Sequence, residues 1–256
     1  MKKIAKFFLL ITIVYLIFPI MTFAEPKELI ISAAISLKNV FQEIGKIYEE
    51  QHKIRCVFNF GAPGALLKQI EYGAPVDIFA SAAQKDVDEA IKLGLAMADT
   101  RANFAINSVV LIIPSNGEIA IKSFEDLALN EVGKIADGNF KTVPAGRYAE
   151  EVFNFYKLLP SIREKLIYAE NVRQVLDYVA NNEVDAGVVY ITDANIRTKD
   201  VVVVTHAPEK SHKPVSYPIC IIKDSKYKEE SKAFISLLLS EEGSKILQKY
   251  GFQLIK

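Results

Sequence analysis

Four short segments of this chain place small or capping residues where a strand-like run gives way to a helical one. They are Ala33-Ala34-Ile35-Ser36, Phe60-Gly61-Ala62-Pro63-Gly64, Val143-Pro144-Ala145-Gly146 and Glu170-Asn171-Val172. The first turn of a helix carries N–H groups with no partner inside the helix, and its aligned peptide dipoles make that end positive. An anion suits such an end, and small side chains let it approach the backbone. In an open α/β sheet these junctions stand at the carboxyl ends of strands, where ligands bind. Each also has a plainer reading, Ser36 as an ordinary N-cap and Pro144 as a helix-start proline. Spacing alone does not say whether the four converge.

Signatures of catalysis are missing. The chain has no GxSxG elbow, Walker A loop, HExxH or GxGxxG. A secreted α/β hydrolase with Ser36 or Ser81 as nucleophile is one reading. Against it, His52, His206 and His212 are scattered, and none follows a strand as a base should. Cys56 and Cys220 lie in the strand-like runs IRCVFNF and YPICII, outside any metal-ligand spacing, so a zinc or iron–histidine site is not expected. The two cysteines either pair in an oxidising compartment or act as small buried hydrophobes, and the second reading is preferred.

The elements that must position the junctions alternate. Runs at 29–35, 54–60, 76–82, 107–114, 133–138, 186–191, 201–205 and 217–222 read as strands. Between them, Leu37, Val40, Phe41, Ile44, Ile47 and Tyr48 recur at helical spacing, and further helices are expected over 65–73, 87–93, 123–129, 148–156, 172–180, 226–239 and 241–248. Ser161 with Glu164, and Asn171 with Gln174, have the form of capping boxes. Strand–helix alternation implies an α/β fold with mainly parallel sheets covered by helices on both faces. No flexible linker interrupts it, so two domains would be joined by ordered strands, outward at 107–114 and back at 204–217.

Residues 1–24 read as a secretory leader: Lys2, Lys3 and Lys6, an apolar run from Phe7 to Phe23, and small residues Thr22 and Ala24 before a cleavage point. An uncleaved membrane anchor is the alternative. No cysteine stands near that point to carry a lipid. The whole chain is level, with 31 Lys+Arg and 31 Asp+Glu. Losing the leader removes three lysines and no acid, leaving 28 basic residues against 31 acidic. A mildly acidic product argues against gripping nucleic acid or coating membranes.

The strings AAISLKNVFQEI, FNFGAPGALLKQIEYGAPVDIFASA, NSVVLIIP, VPAGRYAEEVF, AENVRQVLDYVANNEVDAGVVYITDA and KYGF occur in this order over 29–256. On these the chain resembles the periplasmic molybdate-binding proteins that feed ABC transporters. The resemblance implies a two-lobed type II periplasmic-binding-protein fold, with lobe I formed by 25–106 plus 207–256 and lobe II by 107–206. It implies a binding protein and not an enzyme, with no cofactor. The expected ligand is molybdate or tungstate, so that a metal enters only as its oxyanion; sulfate or thiosulfate is the alternative. The expected partners are a permease and its ATPase, the expected state a periplasmic monomer.

The resemblance also implies a ligand set. Ser36 donates through hydroxyl and N–H, Ala145 and Val172 through N–H, and Tyr190 through its hydroxyl. The family's second-loop serine falls on Pro63, which has neither N–H nor hydroxyl, so Ala62 or Gly64 is expected to substitute. Iron receptors commonly use adjacent tyrosines, and Tyr190 has none beside it in sequence. Arg147 and Arg173, next to the lobe II junctions, read as solvated surface residues, with a distant positive potential as the alternative.

Overall fold

The computed structural model describes residues 27–255. The leader expected at 1–24 lies outside them. In chain order come β1 (Glu28–Ala34), α1 (Lys38–His52), β2 (Arg55–Gly61), α2 (Pro63–Glu71), β3 (Ile78–Ala80), α3 (Gln84–Lys92) and β4 (Ala102–Asn107). Next are β5 (Val109–Pro114), β6 (Ile135–Gly138), α4 (Pro144–Phe155), α5 (Leu159–Ile162), β7 (Leu166–Ala169), α6 (Val172–Ala180), β8 (Ala186–Tyr190), α7 (Ile191–Ala194) and β9 (Val201–His206). The chain closes with β10 (Val215–Ile221), α8 (Lys228–Leu239) and α9 (Glu241–Lys249).

The strands form two five-stranded sheets, ordered β2-β1-β3-β10-β4 and β7-β6-β8-β5-β9. The chain leaves the first sheet after Asn107, enters the second at Val109, and returns between His206 and Val215. Each sheet is mixed where alternation implied mainly parallel pairing. In the first, β1 runs parallel to β2 and β3, while β10 is antiparallel to β3 and β4. In the second, β6 runs parallel to β7 and β8, while β5 is antiparallel to β8 and β9. The antiparallel pairs all involve strands flanking the two crossings. A strand that carries the chain between sheets has no helix to reverse it before it pairs.

Burial follows the sequence pattern. Val40, Phe41, Ile44 and Tyr48 form the buried stripe of α1, and Phe41 packs edge-on against Phe234 of α8 with ring centres 5.7 Å apart. Each such side chain removed from water stabilises the fold by about 1.5–3 kcal/mol. Gly73 and Gly94, at φ 87° and 72°, supply the left-handed residues that stop α2 and α3.

Three local expectations change, and the preferred reading of the two cysteines stands. Ser161 caps nothing, because α5 starts earlier at Leu159 and its own N–H is bonded to the Leu158 carbonyl. The helix expected at 123–129 is a single 3₁₀ turn, Glu125–Ala128. Strands β4 and β7 were not foreseen. Cys56 and Cys220 are free and buried. Their strands, β2 and β10, stand three places apart in the sheet, about 14 Å. A disulfide cannot reach that far, and burial pushes both thiols up to about 12.

Candidate functional site

Each of the four junctions opens a helical turn at the end of a strand. The chain leaves β1 into the 3₁₀ turn Ile35–Leu37, whose capping residue, Ala34, has no side chain to satisfy the first N–H groups. Ser36 sits inside this turn and does not act as its cap. Helices α2 and α4 start at Pro63 and Pro144, after Ala62 and Val143 in extended conformation. Proline fits there because its missing N–H is one of the unpaired ones anyway. At α6 the Asn171 side chain accepts from the N–H groups of Arg173 and Gln174. That cap consumes the second and third donors of the helix and leaves the first, on Val172, unused. The Gln174 side chain completes the box one residue early, accepting from the Glu170 N–H at 2.6 Å.

Two glycines hold the α4 start in place. A Cβ on Gly146 would stand 1.9 Å from the Gly138 carbonyl oxygen, and one on Gly138 would meet Val143 at 2.5 Å. Only bare backbone allows the helix to begin this close to the end of β6, which sets where the Ala145 N–H sits.

The junctions meet. Ser36, Ala62, Pro63, Ala145, Val172 and Tyr190 line one narrow cleft between the two sheets. Gly64 does not contribute as expected. Its N–H donates to the Thr142 carbonyl at 3.0 Å across the cleft, and a Cβ there would lie 2.8 Å from that oxygen. Of the two substitutes expected for the missing serine donor, only Ala62 faces the space.

Tyr190 ends β8 and is 1% exposed. Its hydroxyl is buried without a hydrogen-bond partner among the described residues. Burial drives its ionisation far above the usual tyrosine range, so the phenol keeps its proton. A neutral, dry, unpartnered donor is costly unless something accepts from it. The Ser36 hydroxyl lies 3.1 Å from the Tyr217 hydroxyl. Among the described residues, no lysine, arginine, aspartate or glutamate lines this cleft. Its chemistry is therefore that of neutral donors facing an acceptor.

Arg147 and Arg173 are not solvated surface residues. Nη2 of Arg147 reaches both carboxylate oxygens of Asp86, at 2.8 and 2.7 Å, and their side chains are 15% and 5% exposed. Arg173 pairs through Nε with the fully buried Asp193 and donates through Nη2 to Asn39 at 3.1 Å. Both arginines start in the second lobe and reach α3 or α1 of the first. Burial raises both carboxyls' pKa against the pull of the arginines. A larger cleft also borders Ser36, lined by Arg173, Asn195, Lys249 and Gly251 among others. Its cations are already matched, Arg173 by Asp193 and Lys249 by Glu43.

Residues 29–253 match the family model for bacterial extracellular solute-binding proteins. The chain belongs to that family. Such proteins bind and deliver a solute and are not enzymes, which sets the hydrolase reading aside; Ser81, one proposed nucleophile, instead donates to Asp86 at 2.7 Å. A Bacillus subtilis lipoprotein assigned as the substrate-binding part of an ABC transporter is 41% identical, over 90% of this chain and 88% of that protein. The molybdate-binding protein ModA of Haemophilus influenzae is 34% identical over 98% of this chain and 99% of its own. The periplasmic molybdate-binding protein of Azotobacter vinelandii superposes with a TM-score of 0.80, at 22% identity, covering 89% of this chain and 100% of that one; at that identity the likeness establishes the two-lobed type II fold.

For this solute-binding protein, sequence reasoning missed the residues that bridge the two sheets, Asp86, Asn39 and Asn107, and Tyr217, which holds Ser36. Asp86 and Arg147 are 61 residues apart, and no local pattern links them. Asn107 had one visible signal, a polar residue at the head of an apolar crossing segment.

Proposed function

We propose that this protein captures a tetrahedral oxyanion, molybdate and with it tungstate, and delivers it to the permease and ATPase of an ABC importer. The observation that carries the reading is the partnerless buried hydroxyl of Tyr190 in a cleft shared with Ser36, Ala145 and Val172. Ser36 donates through hydroxyl and N–H, Ala145 and Val172 through N–H, and Tyr190 through its hydroxyl. The 34%-identical H. influenzae relative, named for molybdate, supports the same ligand.

The chemistry selects for full deprotonation. Molybdate, tungstate and sulfate are acceptor-only dianions near neutral pH. Phosphate brings a proton that meets only donors, and that mismatch is expensive in a dry site. Cavity size then separates sulfate from the larger two. Pro63 leaves this chain one donor short of the serine pattern, and Ala62 is the residue placed to compensate.

Strand membership supports a division into lobe I, 25–106 plus 207–256, and lobe II, 107–206, to within one residue, Asn107 itself closing β4 of the first sheet. The protein acts as a monomer outside the cytoplasm, with its leader cleaved after Ala24. Unlike the lipoprotein relative, it has no cysteine before Cys56 to carry a lipid.

A thermal-shift panel of molybdate, tungstate, sulfate, phosphate and Fe(III) tests this. A ligand at 100 Kd adds about 2.7 kcal/mol of apparent stability. Molybdate and tungstate should both shift the transition, and phosphate should not. No shift with either at millimolar concentration overturns the reading. A shift with sulfate alone moves the ligand to the smaller dianions.

A further inference from the structure

The Ser36 hydroxyl has a fixed polarity, and the residues that fix it lie outside the cleft. The Ser108 backbone N–H, which can only donate, bonds the Asn107 Oδ1 at 2.9 Å. This sets the orientation of the Asn107 amide. Its Nδ2 then points to the Thr192 hydroxyl at 2.8 Å and the Tyr217 hydroxyl at 3.1 Å. An amide nitrogen only donates, so the Tyr217 oxygen accepts from Asn107. Tyr217 is fully buried, and among the described residues its hydroxyl's one other hydrogen-bond partner is the Ser36 Oγ at 3.1 Å. The Tyr217 proton therefore goes to Ser36. With that lone pair occupied, the Ser36 proton is directed away from Tyr217 and is free to donate into the space Ser36 borders, which includes the cleft it shares with Tyr190.

We infer that Asn107 and Tyr217 are positioning residues that hold Ser36 as a donor and so set the preference of the site for fully deprotonated oxyanions. The inference rests on the oxyanion reading above. A serine hydroxyl left to itself rotates, donating to one ligand and accepting from another. It would then tolerate a protonated anion. The chain Ser108 N–H, Asn107, Tyr217, Ser36 restricts that freedom: the Ser108 N–H and the Asn107 amide each have one fixed role, and through them the two hydroxyls are given theirs. Asn107 is also the last residue of β4, where the chain leaves the first sheet, and Thr192 belongs to α7 beside the second. The polarity of the site is thus anchored at the crossing between the lobes.

The test compares molybdate with phosphate in calorimetric titrations of the wild type, Asn107→Asp and Tyr217→Phe. An aspartate at 107 accepts where the amide donated. The Tyr217 proton turns to it, and Ser36 is freed to accept from the ligand. The added charge weakens both anions, so the readout is their ratio. Expected is a narrowing of the molybdate-to-phosphate preference by about tenfold or more, the worth of one hydrogen bond to a charged group. Tyr217→Phe keeps the ring and its packing, and should narrow the ratio in the same direction even if the aspartate variant fails to fold. An equal loss for both anions, or an unchanged ratio, means the pair is merely structural and overturns the inference. Failure of the wild type to bind molybdate at all overturns the functional reading instead.

Discussion

Arg147, on the first turn of α4, holds both carboxylate oxygens of Asp86 on α3 through a single nitrogen, across the boundary between the two sheets. Asp86 accepts a third hydrogen bond from Ser81. Breaking a fully buried pair from one side costs about 3–5 kcal/mol; here 15% exposure of the arginine reduces that figure. Because the pair spans the boundary between the two sheets, its loss should favour hinge opening, the motion by which two-lobed binding proteins close around and release a ligand. Asp86→Ala is expected to weaken molybdate binding mainly through faster release. Stopped-flow dissociation checks it, and an unchanged release rate would place the pair outside closure.

Tyr190→Phe separates the folded protein from its ligand complex. The hydroxyl has no partner among the described residues, so removing it should leave ligand-free stability unchanged or slightly higher. Ligand affinity should fall by about 1–3 kcal/mol, the range for an unpaired buried polar group. Calorimetry and thermal unfolding of the same variant give both numbers. Unchanged affinity removes Tyr190 from the site.

Pro63→Ser restores a hydroxyl at the start of α2, beside the cleft. The expected result is tighter oxyanion binding by about 1 kcal/mol, one net hydrogen bond. Weaker binding, measured by the same titration, shows that this turn presents a different face to the ligand.

Gly146→Ala forces a methyl into the Gly138 carbonyl, 1.9 Å from its ideal position. The backbone must move, at about 1–3 kcal/mol, and the Ala145 N–H moves with it. Stability and affinity should fall together, whereas Ala145→Gly, which keeps the N–H, should retain most of the affinity. Denaturant midpoints and titrations check the contrast.

Asp137 predicts a pH dependence. It is buried on β6 with one carboxylate oxygen unpartnered, and burial holds its pKa well above the usual range. The unfolded chain ionises near pH 4. Between that value and the raised folded one, the folded state binds more protons, so this contribution to stability is complete below about pH 4 and is lost as pH rises through the folded value. Asp137→Asn should flatten that part of the profile in urea titrations from pH 4 to 8. A parallel profile in the variant would clear Asp137 of the effect.

Much of this architecture was legible because it repeats a local grammar. The stripe of Val40, Phe41, Ile44 and Tyr48, and the stops at Gly73 and Gly94, encode their helices within a few residues. The small residues at 33–36, 143–146 and 170–172 marked the helix starts that meet in the cleft. Tyr190 is different: nothing in GVVY sets its hydroxyl apart, and only likeness to a family singled it out. Strands β4 and β7 were missed because ANFAIN and LIYA are short and lack a distinctive period. Mixed pairing was missed because strand direction is decided by the crossings. The arginines were misread because a partner 61 residues away leaves no mark beside Arg147. Gly64 was misread for a like reason, since its N–H is consumed by Thr142 from the other lobe.

The Asn171 cap leaves one N–H on Val172, and the Gly138–Gly146 contact sets another on Ala145. These donors belong to the main chain, so no codon change at either residue deletes them short of proline. Heredity of the site therefore runs through turn geometry more than through side-chain identity. Two descendants can diverge at positions 145 and 172 and still present the same atoms to a solute. A drift in what they carry would be written instead at Ser36, Pro63 and Tyr190, the places where evolution has a hydroxyl to give or take away.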